Sequence, residues 1–304
     1  MLTQYKLISS KTILNRSGSD DEDLFVGTIN PYTGCEHGCV YCYVQAERYQ
    51  PYKNKADFFC TIGIKQNAPS LLNEILQKGL PYGMICIGSS SDPYQPAEKE
   101  HKITRKILEI INKYGYPVHI FTKSDLILRD LDILKEISKK SSAAVSFSII
   151  TLDAKTHVIF EPGSISPQQR LKALKELGKN GITTGISLMP VLPFITDDEK
   201  QLEALIKSAG EHGAKYIWSG CLTLRDKQSQ KYKSEILKHF PGLTAKYNSL
   251  YGTRHSPSQT YQHELHEMIY QLAKKYSINY GLEFVTKSKK WGQGLTPIQK
   301  EFEF

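Results

Sequence analysis

The chain has 304 residues, 40% hydrophobic and 23% charged, with 39 Lys and Arg against 31 Asp and Glu for a net charge of +8. This is ordinary globular composition, long enough for one large domain or two smaller ones and for a core that needs no metal or disulfide staple. No apolar run reaches the roughly 20 residues that cross a bilayer, which excludes a membrane-spanning helix. The positive balance fits attraction to phosphates, and it equally fits a lysine-rich solvated surface.

Residues 1–24 are polar and turn acidic at SGSDDED (17–23). They lack the apolar stretch and small-residue cleavage site of a secretory signal. The expectation is a cytoplasmic protein, and there clustered thiols are metal ligands or catalysts rather than disulfides. A strand is predicted at 25–29. It leads straight into NPYTGCEHGCVYCYVQ (30–45), which carries three of the six cysteines within eight residues. From residue 57 strands and helices alternate. Strands fall at 57–65 (DFFCTIGIK), 83–88 (GMICIG), 117–122 (PVHIFT), 143–150 (AAVSFSII), 185–192 (GISLMPVL) and 215–222 (KYIWSGCL). Helices fall between them at 70–78, 98–114, 130–139, 167–179 and 197–212. The strands are continuous apolar runs, as expected when both faces are covered. Strand–helix repetition implies parallel strands with right-handed crossovers, in a full or partial βα barrel or a doubly wound open sheet. After about residue 224 the pattern changes to helices at 226–239 and 260–276, joined by the loop PGLTAKYNSLYGTRHSPSQ, with a short strand at 278–285. TKSKKW (286–291) sets an aromatic beside basic residues, as a strand-binding groove or a tail decoration would.

Cys35, Cys39 and Cys42 are spaced C-x3-C-x2-C. Thiolates favour iron–sulfur clusters, zinc or copper(I). A structural zinc site wants four ligands, and the only nearby fourth, His37, sits in a very tight loop between two of the cysteines. Three ligands on a four-iron cube leave one iron open, which is a catalytic feature. The interleaved glycines let a short loop wrap around the cube.

This spacing, with aromatic Tyr41 before the last cysteine, resembles the radical S-adenosylmethionine superfamily. SSSD (89–92), TKS (122–124), SFSI (146–149) and FEPGSISPQQR (160–170), together with YCYVQ, are similar to the spore photoproduct lyase branch over roughly 25–224. The resemblance implies an α/β fold: a partial (βα)6 barrel over 25–224, an N-terminal segment at 1–24 and a mostly helical capping extension at 225–304. It implies a [4Fe-4S] cluster on the three cysteines and S-adenosylmethionine on the open iron. Reductive cleavage would give a 5′-deoxyadenosyl radical that takes hydrogen from the substrate, with a flavodoxin- or ferredoxin-type reductant as partner. Within that picture Tyr41 offers a ring and Ser91 a bond to the methionine amino group. Lys123 is the cation for the carboxylate and Ser148 reaches a ribose hydroxyl. Arg170 forks onto a carboxylate, and Met189 presents backbone groups to adenine. Each has a structural alternative: Ser148 as barrel filling, Lys123 as a solvated strand end, Glu161 and Arg170 as a mutual pair, Asp92 as the cap of the turn before Pro93. His101, His157 and His212 read as ordinary histidines, and His263 with His266 lacks a third ligand.

Where the lyase branch has a hydrogen-donating cysteine, this chain has Ser89, and serine is a poor hydrogen-atom donor. Cys86 lies three residues earlier, an odd offset that points it to the opposite face of a strand. Cys221 and Tyr43 are the freer candidates. The substrate expected by analogy is a nucleic-acid base. The alternatives are a peptide or small metabolite, or a non-catalytic iron–sulfur or zinc module.

Overall fold

The computed structural model describes residues 3–16, 25–49 and 58–281. Two sheets organise it. The larger has eight strands in the order β11-β10-β9-β8-β7-β6-β3-β2. These are β2 (Leu14–Asn15), β3 (Gly27–Ile29), β6 (Ile85–Ile87), β7 (Val118–Thr122), β8 (Ala143–Ser148), β9 (Thr183–Val191), β10 (Tyr216–Cys221) and β11 (Asn279–Tyr280). Every neighbouring pair from β3 to β11 is parallel, and β2 runs antiparallel to β3. The six parallel strands from β3 to β10 form the partial barrel. Its edge strands β2 and β11 are not paired to each other.

The smaller sheet is β1 (Gln4–Ile8), β5 (Thr61–Lys65) and β4 (Tyr32–Thr33), in the order β1-β5-β4. It corrects the sequence reading twice. The strand expected at 57–65 does not join the barrel, although its apolar run resembles the others, and the polar N-terminal segment supplies a strand to pair with it. An apolar run says that a strand is covered; it does not say by which sheet.

Helices α1 (Ala68–Gln77), α2 (Glu98–His101), α3 (Ile103–Tyr114), α4 (Leu131–Lys140), α5 (Ala154–Phe160), α6 (Pro167–Lys179) and α7 (Glu199–Glu211) connect the strands. α3 buries Ile103, Ile107, Leu108 and Ile111 along one stripe, the spacing that faces a helix to a core. α6 follows the expected bounds because Ser166 and Gln169 form a reciprocal capping box with Pro167 at its first turn. The helix expected over 98–114 is divided at Lys102, whose φ is +51°.

After the barrel come α8 (Asp226–His239), α9 (Thr244–Tyr251) and α10 (Gln259–Lys275). α9 lies inside the stretch read as loop. The strand expected over 278–285 begins as β11, with its remainder and TKSKKW outside the described residues. The main core fills the space between sheet and helices. A second core joins Tyr232, Ile236, Tyr247 and Tyr251 of α8 and α9 to Cys39, Val40 and Tyr41. Burying such side chains is worth about 1.5–3 kcal/mol each, so the extension holds the cysteine loop from behind.

Candidate active site

The cysteine loop leaves β3 at the C-terminal end of the barrel strands. Gly34 has φ +84°, and a side chain there would lie 2.6 Å from the Thr61 carbonyl, so the loop turns against β5 only through a glycine. Backbone bonds tie it down, from Cys35 N to Phe58 O at 3.0 Å and from Val40 N to Phe160 O at 2.9 Å. Three glutamines far apart in sequence complete the frame. Gln45 donates to the Cys39 and Val40 carbonyls, Gln95 to Gly34 O, and Gln228 of α8 to Tyr41 O. Asn30 fastens the other side, accepting from Ser90 N at 2.8 Å and Ser91 N at 3.2 Å while donating to Ser89 Oγ.

Cys35, Cys39 and Cys42 line one cavity of about 530 Å³. Each barrel strand sends at least one residue into it, among them Thr28, Cys86, Phe121, Ser148, Ser187 and Trp218. Tyr41, Tyr43, Ser91, Lys123, Met189 and Cys221 line it too, so the structure gathers most of the expected site residues. Burial pushes all three thiols up, Cys39 to about 12. The N–H groups of Asp92 and His37 pull Cys35 back, and Lys123 pulls Cys39 back. Such thiols become thiolates when a cationic centre binds them. Among the described residues no three His, Cys, Asp or Glu side chains converge on a single ion. Three soft thiol donors lining one cavity suit an iron–sulfur cluster by the chemistry of the donor set. His37 is committed elsewhere, with Nδ1 3.1 Å from Gly163 O and Nε2 3.0 Å from Asp92.

Lys123 is a strand-end lysine turned inward. Burial alone would lower it, but Cys39 and Glu161 outweigh that and hold its ammonium charged. Its Nζ lies 5.7 Å from the centre of the Tyr41 ring, with no carboxylate in hydrogen-bonding contact among the described residues. Asp92 both caps its turn and shapes the wall. It accepts from Tyr94 N, Thr122 Oγ1 and Lys123 N, at 2.8, 2.8 and 2.7 Å. Burial would raise it, yet His37 and these backbone donors hold it down at about 2. Ser91 donates to Tyr32 O at 3.0 Å and keeps lone pairs for an amino group. Ser148 has a half-buried hydroxyl in the cavity wall, opposite Ser187 of β9.

Arg170 corrects the expectation. It is fully buried, pairs with Glu161 at 2.7 Å, and gives its remaining donors to Ser148 O at 2.7 Å and Ile165 O at 3.0 and 2.8 Å. No donor remains to fork onto a ligand. Glu161 in turn accepts from the Tyr41 hydroxyl, so the Arg170–Glu161 pair orients Tyr41.

Cys86 corrects it again. The odd offset predicts that it faces away, but β6 ends at Ile87 and Gly88 takes φ +95°, which breaks the alternation and leaves Cys86 facing the cavity. Burial raises Cys86 to about 12 and Cys221 to about 11, so both keep their S–H hydrogen at neutral pH. Tyr43 is raised too and donates to Ser89 O at 2.7 Å. The sequence reading also missed the cavity floor, where Phe25, Phe121 and Trp218 pack together, with Phe121 and Trp218 centroids 5.5 Å apart. Beneath them His119, Ser146 and Tyr216 hydrogen-bond one another, and burial keeps His119 neutral.

An unclosed parallel barrel with three thiols and an inward lysine at its C-terminal mouth defines an enzyme that carries an iron–sulfur cofactor. A family model, the radical SAM superfamily, matches residues 29–206, more than half of the chain, and the chain belongs to that superfamily. Its members use a [4Fe-4S] cluster and S-adenosylmethionine, and need an external electron donor. An uncharacterized protein of Mycobacterium tuberculosis is 27% identical over 270 residues, covering 88% of this chain and 79% of its own length. A radical SAM Nα-GlyT isomerase of Pseudomonas phage M6 is 24% identical over 266 residues, covering 84% of this chain and 52% of its own length. Spore photoproduct lyase, solved with AdoMet and a dinucleoside spore photoproduct bound, superposes with a TM-score of 0.69 at 15% identity, covering 91% of this chain and 80% of that one. That likeness is one of fold. No helix among the described residues is long and apolar enough to cross a membrane.

Proposed function

We propose that this enzyme takes a hydrogen atom from a nucleic-acid base or a closely related molecule in a lyase-like reaction. The observation that carries this reading is the union, in one cavity, of three thiols, a charged lysine and an aromatic floor that suits a flat ring. Cys35, Cys39 and Cys42 would hold the [4Fe-4S] cluster. When bound, the cluster and S-adenosylmethionine would supply the one-electron chemistry that removes a substrate hydrogen atom.

The protein does the positioning. Lys123 receives the carboxylate as a charge-assisted bond, and Ser91 accepts from the amino group. Ser148 meets a ribose hydroxyl, and Met189 sets the edge of the adenine site. Tyr41, fixed by Glu161, closes the wall beside Lys123. Phe25, Phe121 and Trp218 stack the base and keep water out. Cys221 and Tyr43 are the hydrogen-bearing groups placed to return an atom to the substrate, and Cys86 joins them.

The test is anaerobic reconstitution, dithionite reduction and a product assay with and without an oligonucleotide. Expected are 5′-deoxyadenosine and an altered base, with Cys39→Ala forming neither. Absence of 5′-deoxyadenosine sinks the mechanism. Its formation with unaltered oligonucleotide, alongside an altered peptide or metabolite, sinks the choice of substrate.

A further inference from the structure

Beside the cysteine cavity lies another, of about 320 Å³, between the barrel mouth and the three-stranded sheet. The two share a wall made of Tyr43, Val44 and Ser89 to Ser91. The hydroxyl of Tyr43, bonded to Ser89 O, braces that wall. The cofactor cavity has about 530 Å³ for a cluster and S-adenosylmethionine, so much of a substrate must lie outside it. The adjoining cavity is the space in contact with it.

Its lining, among the described residues, is rich in donors and contains no acidic residue. Lys65 stands at the end of β5, largely desolvated, which lowers its pKa. Its Nζ spends one bond on Asn30 O at 2.8 Å and meets no carboxylate among the described residues. Ser89 Oγ accepts from Asn30 Nδ2, which leaves its O–H free to donate. Ser90 and Tyr49 add hydroxyls to the lining. A half-buried ammonium with no carboxylate partner among the described residues is costly, and it becomes favourable when an oxyanion binds it. Several donors around one cation suit the oxygens of a phosphate group, which accepts in many directions.

We infer that Lys65 and the Ser89–Ser90 hydroxyls form a phosphate subsite, which holds the phosphate of a nucleotide whose base enters the cysteine cavity past Tyr43. Only the base half rests on the function proposed above; the subsite stands on its own geometry.

The experiment is calorimetric titration of the anaerobic holoenzyme with thymidine, thymidine 5′-monophosphate and inorganic phosphate. The wild type is expected to bind the nucleotide at least tenfold more tightly than the nucleoside. Lys65→Met is expected to remove that preference and Lys65→Arg to keep it. Ser89→Ala with Ser90→Ala, a milder change, is expected to reduce it several-fold if Lys65→Met fails to fold. Inorganic phosphate binding to the wild type but not to Lys65→Met, with neither nucleoside nor nucleotide bound, leaves the subsite standing and sinks the base reading. Equal binding of nucleoside and nucleotide to the wild type overturns the subsite. So does phosphate binding that survives Lys65→Met, and so does the absence of any phosphate binding.

Discussion

Lys123 is the group on which cofactor affinity should turn. A hydrogen bond to a charged partner is worth about 1.5–3 kcal/mol, so Lys123→Met is expected to weaken S-adenosylmethionine binding by about 10- to 100-fold with iron content retained. Equilibrium dialysis of the reconstituted protein reads this directly, and an unchanged Kd removes Lys123 from the site. Asp92 gives a pH test. Its carboxyl is held at about 2 against an ordinary 3.8. A depressed carboxylate contributes stability above its unfolded value and loses it as pH falls toward the folded one. The contribution is about 2 kcal/mol. Urea midpoints of cluster-free wild type and Asp92→Asn should therefore differ at pH 6 and converge between about pH 4 and 2. The cysteine spacing was legible because its ligands are neighbours in sequence. Asn30, Gln45, Gln95 and Gln228 were not, because the carbonyls, N–H groups and hydroxyl they hold are identified only once the chain has folded. Cys86 was misplaced because strand parity holds only while the strand continues, and Gly88 ends it.

At the level of elements, the cysteine loop depends on its backing. Gly34 sits in the left-handed region with the Thr61 carbonyl against it. Gly34→Ala carries a conformational cost of about 1–2 kcal/mol in addition to that clash. The variant is expected to fold with less iron per chain, read by metal analysis after anaerobic reconstitution; full iron content would mean that the turn tolerates a side chain. Helices were legible where a cap and a stripe coincide, as in α6. α9 was missed because YNSLYG reads as turn chemistry, yet Tyr247 and Tyr251 are buried in the second core and hold it helical. β5 shows the matching limit for strands. Its composition announced a covered strand, and only the partners β1 and β4 reveal which sheet it serves.

For the whole molecule, the described part of the C-terminal extension braces the cysteine loop. No described residue after Thr223 lines the cysteine cavity, while α8 and α9 pack behind the loop and Lys227 pairs with Glu47 at 2.7 Å. The net charge of +8 belongs to this scale as well. If a nucleic acid is the substrate, binding of a single-stranded oligonucleotide should weaken with salt, the log–log slope rising by about 0.7 for each phosphate engaged. A flat response in filter binding between low and high salt would remove nucleic acids from consideration.

Among the described residues the sheet does not meet itself: β2 ends one side and β11 the other. A sealed drum would limit the enzyme to molecules small enough to be swallowed whole. A drum with a missing stave can take in one unit of a long polymer while the remainder trails through the gap.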